Sequence, residues 1–164
     1  MPTTNSTNPA AGLGDYLTAA QIIPELRAKN RWEAIDELMA NLVATGKFQP
    51  EQRDAVTAAV RKRELSMSTG IGSGLGLPHA ATDQANEVVA ALGRAPAGID
   101  FEALDGQPVY LVILLLIPQG QFQKHLHTVS SIAKLMHRAE LREALKQAPD
   151  AEGILQLIRN QPAV

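Results

Sequence analysis

Nine consecutive apolar residues occupy positions 109–117, a run without a single charge. Nine residues fall far short of the roughly 20 that an α-helical membrane span needs, so no direct membrane insertion is expected here. An unbroken apolar run of this length suits a strand that is covered on both faces, because a half-exposed strand would alternate polar and apolar side chains. The run therefore predicts a central strand in a sheet.

The flanking segments predict helices and further strands. Residues 18–28 read as a short helix. Asn30 stands three residues before Glu33 in a capping-box-like pattern, which starts a helix at about Arg31. In it Ile35, Leu38, Met39, Leu42 and Val43 fall on one inward stripe, with Gly46 as the stop. Trp32, Met39 and Phe48 are core candidates. Pro50 suits the first turn of a second helix, whose inward face carries Val56, Ala59, Val60 and Arg63. Residues 70–78 read as loop running into strand and residues 87–92 as a strand. Helical periodicity returns over residues 124–137, 141–147 and 150–159, the last with Asp150 as its N-cap. Helices, then strands, then helices predict one α/β layered domain. It spans residues 15–164, behind a tail, residues 1–14, that is read as mobile and lacks a basic or apolar targeting segment.

Composition excludes several functions. Lys and Arg total 15 against 17 for Asp and Glu, a formal net charge of -2, so no positive field is available to gather nucleic acid phosphates. The absence of cysteine removes disulfides, thiolate metal sites and cysteine nucleophiles, in keeping with a reducing cytoplasm.

The chemistry-bearing residues cluster around a glycine-rich segment. Gly70, Gly72, Gly74 and Gly76 alternate with Ile71, Ser73, Leu75 and Leu77. Leu75 stands where a dinucleotide fingerprint needs its third glycine, and no Gly-Lys-Ser/Thr follows, so neither standard nucleotide motif is met. The glycines serve either tight backbone turns or the close approach of a ligand. Pro78 restricts Leu77 and fixes its own φ, so His79 leaves a stiff backbone; it is either an ordinary loop histidine or a rigidly held nucleophile. On the helix that follows, steps from His125 reach Val129, Ile132 and Met136, whereas steps from His127 reach Ser130, Ser131, Lys134 and Arg138. Helical phase thus predicts His125 at the core edge and His127 in solvent. A His-x-His pair suits metal binding better on a strand, and no carboxylate lies at metal spacing beside it, so no metal is expected. Arg63 is open to two readings, a stem that snorkels to water or a cation aimed at a site.

The segment at residues 63–79, Arg-Glu-Leu-Ser-Met-Ser-Thr-Gly-Ile-Gly-Ser-Gly-Leu-Gly-Leu-Pro-His, closely resembles the active-site signature of enzyme IIA domains of the bacterial phosphotransferase system, in the fructose-mannitol class. Gly98-Ile99-Asp100-Phe101, Asp105-Gly106-Gln107-Pro108-Val109 and His125-Leu126-His127-Thr128 extend the likeness over roughly residues 16–160. It is most like the nitrogen-regulatory branch. Gly76 and the leucines at 75 and 77 depart from the alanine and β-branched residues usual there. The resemblance implies a mixed β-sheet flanked by α-helices on both faces. It implies a cytoplasmic phosphocarrier without cofactor or metal. His79 would accept a phosphoryl group from the histidine phosphocarrier protein or its nitrogen-branch paralogue, and pass it to a IIB component or hold it as a signal to regulatory targets. Arg63 and His125 would line the same pocket, with Thr69 and Gly74 as phosphate-binding positions. A transferring phosphoryl group spreads charge over three oxygens, which such donors suit. Two other readings stand beside it. One is a purely regulatory binding module switched by phosphorylation of His79, which adds about -1.5 to -2 of charge. The other is a metal-dependent hydrolase built on His125 and His127.

Overall fold

A computed structural model of the chain describes residues 12–161. In chain order these form strand β1 (Ile22–Ile23), helices α1 (Arg31–Ala44) and α2 (Arg53–Ser66), strands β2 (Gly70–Gly72), β3 (Leu75–Gly76), β4 (His79–Thr82), β5 (Val89–Ile99) and β6 (Val109–Pro118), and helices α3 (Leu126–Met136), α4 (Ala139–Gln147) and α5 (Ala151–Arg159).

The apolar run is β6, and it lies inside the sheet as its composition requires. β5 pairs with it antiparallel, from Val89 opposite Leu116 to Ile99 opposite Val109. On its other edge β3 and then β4 run parallel to it, Leu75 opposite Leu111 and His79 opposite Leu115. β1 lies parallel to β5, and β2 is antiparallel to β3, which makes the sheet mixed. Leu111, Ile113, Leu115 and Ile117 join one core with residues of α3, α4 and α5, while Val112, Leu114 and Leu116 join a second with residues of α1 and α2. Alternate residues of one strand thus hold helices against both faces, each fully buried side chain contributing about 1.5–3 kcal/mol relative to exposure.

Local signals set the helix ends. The Asn30 side chain accepts a hydrogen bond from the Glu33 amide at 2.9 Å, and the Glu33 carboxylate accepts from Lys29 N. Gly46, at φ +80°, ends α1, and the Asp150 carboxylate accepts from Gly153 N at 2.8 Å to start α5.

Three expectations need correction. Residues 18–28 do not form a helix: Pro24 cannot donate a helical hydrogen bond and drives Ile23 into an extended conformation. Only a 3-10 turn, Ala19–Gln21, forms before Ile22 and Ile23 join the sheet. Residues 70–76 are not simply loop, because β2 and β3 form a hairpin. The strand expected over residues 87–92 runs on to Ile99 through Gly93, Pro96 and Gly98, its register shifting between Arg94 and Ile99. Trp32 is only half-buried, its ring covered by the Arg31 guanidinium at 4.6 Å, while Met39 and Phe48 are in the core. Of the tail read over residues 1–14, residues 1–11 lie outside the described residues; Leu13 is buried in the core beside α5, and Gly14 accepts from the Arg159 guanidinium.

Candidate functional site

His79 owes its position to a break in the sheet. Pro78 has no N–H to offer, so the ladder along β6 stops after Gly76 and resumes at His79, and β3 and β4 become two pieces of one line. The break is tied on both sides: Leu77 N donates to Thr69 O at 3.0 Å, and Leu115 N donates to Pro78 O at 3.0 Å. Strand alternation places Leu75, Leu77 and His79 toward α3–α5 and Ala80 toward the opposite core.

The half-buried His79 ring is oriented at two points. Its Nδ1 lies 2.8 Å from the Leu77 carbonyl oxygen. A carbonyl can only accept, so Nδ1 carries the proton and Nε2 keeps its lone pair. Phe122 stacks on the ring, with centroids 6.0 Å apart and planes inclined by 12°. Burial pushes the imidazole below its ordinary value of 6.5; the Leu77 carbonyl pulls the other way, Arg63 adds to the lowering and Glu64 opposes it. The ring is therefore neutral at pH 7, with a free nucleophilic nitrogen.

The α2 stripe ends differently from expectation. Val56, Val60 and Glu64 are its buried residues, so the residue that continues the stripe inward is Glu64 and not Arg63. Glu64 accepts three hydrogen bonds: from Arg31 Nη1 at 3.2 Å, Thr69 N at 2.9 Å and Thr69 Oγ1 at 2.6 Å. Arg63, one residue earlier, is half-buried, and its Nη1 donates to Met67 O at 3.0 Å. Its positive charge is one of the smaller contributions to the lowered pKa of the His79 imidazole. Thr69 is buried and its hydroxyl proton is committed to Glu64, so it meets the His79 segment through its backbone carbonyl.

Gly74 is not brought to the His79 ring. It sits at the β2–β3 turn, where Ser73 and Gly74 have φ of 57° and 79°, and its carbonyl accepts from Tyr110 N and Leu111 N. Leu75 faces Leu111 while His79 faces Leu115, which places the turn about 13 Å or more along β6 from His79. The glycine answers a local need, a positive φ with Tyr110 3.2 Å from where a Cβ would stand.

The two neighbouring histidines part as helical phase predicts. His125, at the N-cap position of α3, is half-buried, and burial, with Lys124 next to it, lowers its pKa. His127 is exposed, its Nε2 3.2 Å from Ser131 Oγ. Sequence reasoning missed Phe122, three residues before His125, which brings the approach to α3 over His79; it also missed Glu64 and Arg31. The i, i+4, i+8 spacing of Val56, Val60 and Glu64 was the available signal for the second. Among the described residues no three His, Asp or Glu side chains are grouped to hold a metal ion, and no helix is long and apolar enough to cross a membrane.

A single α/β domain that presents an oriented histidine at a break in a mixed sheet has the fold of IIA proteins. The structure matches that of the nitrogen regulatory protein IIA-Ntr from Neisseria meningitidis with a TM-score of 0.80 at 25% identity, covering 89% of this chain and 98% of that one. IIA mannitol from Escherichia coli shares the fold, with a TM-score of 0.73 at 22% identity over 87% of this chain and 98% of that one. The family model described as "Phosphoenolpyruvate-dependent sugar phosphotransferase system, EIIA 2" matches residues 15–161. The chain belongs to this EIIA type-2 family. It is 30% identical to the nitrogen regulatory protein of Bradyrhizobium diazoefficiens over 149 residues, 91% of this chain and 95% of that protein. It is 35% identical to the fructose-specific EIIABC component of Bacillus subtilis over 144 residues, 88% of this chain but only 22% of that longer protein.

Proposed function

We propose that this chain accepts a phosphoryl group on His79 Nε2 from the histidine phosphocarrier protein or its nitrogen-branch paralogue, in the cytoplasm, and then passes it to a IIB component or holds it as a regulatory signal. In this step the P–N bond to the donor's histidine breaks and a P–Nε2 bond forms, with no proton moved. Nδ1 keeps its proton on the Leu77 carbonyl, which meets the positive charge that develops on the ring. Arg63 turns donors from Met67 toward the phosphoryl oxygens, and His125 supplies a ring N–H from the start of α3. Thr69 and the glycines serve by holding the backbone, with no cofactor required.

The observation that carries this reading is the hydrogen bond between His79 Nδ1 and Leu77 O, which leaves one defined nitrogen as nucleophile. The test is incubation with the general phosphotransferase components and phosphoenolpyruvate, followed by mass analysis. One acid-labile, base-stable phosphoryl group is expected, absent from a folded His79→Ala variant. Stoichiometric labelling of that variant overturns the assignment. The purely regulatory reading is favoured by the match to a nitrogen regulatory protein over nearly the full length of both chains. Onward transfer to a sugar-specific IIB protein separates the two, since only a carrier discharges to it.

A further inference from the structure

We infer that Arg31 and Glu64 are positioning residues for His79, acting through an unbroken line of hydrogen bonds that begins on α1 and ends on the imidazole. This rests on the reading of His79 as the phosphoryl acceptor and names how its ring is held for that task. Arg31 Nη1 donates to Glu64 Oε2 at 3.2 Å. Glu64 grips Thr69 twice, through the amide at 2.9 Å and the hydroxyl at 2.6 Å. The Thr69 carbonyl accepts from Leu77 N at 3.0 Å, and the Leu77 carbonyl lies 2.8 Å from His79 Nδ1. Four residues, Arg31, Glu64, Thr69 and Leu77, thus lead to the ring of a fifth, His79.

Several features set this line apart from ordinary surface pairing. The Glu64 side chain is 0% exposed and that of Arg31 12%, so both charges have given up most of their water. A buried ion pair contributes little net stability compared with apolar side chains of the same volume, and its best-attested use is to select one geometry. Arg31 is itself prepared: its guanidinium lies over the Trp32 ring at 4.6 Å, and its Nη2 stands 3.9 Å from the exposed Glu102 carboxylate. The carboxylate holds Thr69 by both the backbone and the side chain, a bidentate grip that sets direction as well as distance. Thr69 is the residue immediately before the β2–β3 hairpin, and Leu77 is the first residue after it. The grip on Thr69 therefore reaches both ends of the loop that precedes His79. Without it the Leu77 carbonyl is free to shift, and a displacement of about 1 Å at a reacting group costs up to a hundredfold in rate.

The experiment compares Glu64→Gln, Arg31→Gln and Arg31→Lys with the unaltered chain by three measurements: the rate of phosphoryl acceptance at His79, the melting temperature, and the ring 15N chemical shifts of His79, which report which nitrogen carries the proton. The unaltered chain is expected to show a single tautomer with the proton on Nδ1. Glu64→Gln and Arg31→Gln are expected to show mixed tautomers and roughly tenfold or slower acceptance while still folded. Arg31→Lys, which keeps a cation against Glu64, is expected to recover part of both. A purely structural ion pair would lower the melting temperature and leave the tautomer and the rate per folded molecule unchanged, and that result in either Gln variant overturns the inference. Should Glu64→Gln not fold, Arg31→Gln, altered at the better-exposed end of the pair, decides by the same two readouts. If the unaltered chain accepts no phosphoryl group, the acceptor reading fails, and the tautomer shifts still decide whether Arg31 and Glu64 position the ring.

Discussion

The imidazole of His79 and the ring of Phe122 lie nearly parallel, with centroids 6.0 Å apart, so the segment leading into α3 passes over the His79 side chain. Burial is the largest cause of the lowered pKa of this imidazole, and Phe122 is the aromatic ring stacked on it. Phe122→Ala should let that pKa climb back toward 6.5. At mildly acidic pH more of the ring would be protonated and acceptance would slow, whereas at alkaline pH the variant would approach the unaltered chain. NMR titration of the His79 ring beside labelling rates at several pH values checks this, and an unshifted titration would mean that Phe122 does not shield the ring.

The same burial carries a stability consequence whose sign is fixed. Because the folded pKa of His79 lies below 6.5, the unfolded chain takes up the proton first as pH falls. Well above 6.5 the ring is neutral in both states and contributes no pH dependence; stability declines as pH falls through 6.5 toward the lower folded pKa and levels off below it. The lowered pKa of His125 acts in the same direction. Chemical denaturation at about pH 7.5 and about pH 5.5 should show a smaller acid loss for His79→Gln than for the unaltered chain. An equal loss in both excludes His79 as a contributor.

His125 and His127 should separate kinetically as they do in space. His125 is half-buried at the N-cap of α3 and His127 is exposed beside Ser131. His125→Ala is expected to slow phosphoryl acceptance markedly, and His127→Ala to leave it near the unaltered rate. Initial rates for both variants decide it, equal losses being incompatible with one inward and one outward ring.

Arg63 lies in the last turn of α2 with its guanidinium on the Met67 carbonyl, and its charge adds to the lowering of the His79 pKa. Arg63→Ala should lose about 3 kcal/mol of transition-state stabilisation, roughly a hundredfold in rate. Arg63→Lys should be impaired less, since it keeps the charge but not the planar fork. Labelling rates read beside thermal melts are the measurement, and an unaltered rate in Arg63→Ala would remove the cation from the transfer step.

What could be read from the sequence was what short-range physics decides. A nine-residue apolar run has no way to satisfy water on either face, so the place of β6 inside the sheet followed directly. Asn30, Gly46 and Asp150 act within one turn of helix, and each ends or begins the helix assigned to it. Strand β5 looked short because Gly93, Pro96 and Gly98 are poor strand residues, yet pairing with β6 overrides them and absorbs the misfit as a register shift. The site was legible where it lay in one segment, residues 63–79. Its other supports were not, because they depend on tertiary placement: Phe122 is a lone aromatic in a loop, and Arg31 meets Glu64 only when α1 packs on α2. Glu64 itself was passed over because a carboxylate seldom continues an apolar stripe.

Arg94 lies away from the His79 site, opposite Leu111 on β6. It is buried within β5, with Nε donating to Pro24 O at 3.0 Å and Nη1 to Leu145 O at 2.8 Å and Ala148 O at 2.7 Å. Its acceptors are three backbone carbonyls, two of them at the C-terminal end of α4, where orphan carbonyls and the helix dipole favour a cation. Arg94→Met would keep most of the volume, leave the Pro24 and Ala148 carbonyls without the bonds Arg94 gives them and Leu145 O with only its long bond from Ala148 N at 3.4 Å, at a cost of about 3 kcal/mol. For a chain of this size that lowers the melting temperature by roughly 6–12 °C. Arg94 faces Leu111, whereas His79 faces Leu115, so the rate of phosphoryl acceptance per folded molecule should stay unchanged. Calorimetry paired with labelling at a temperature where both proteins are folded tests the two halves together. A melting temperature equal to that of the unaltered chain would show that water satisfies the α4 carbonyls as well as Arg94 does, and a slowed acceptance would show that the loop between β1 and α1 reaches the site after all.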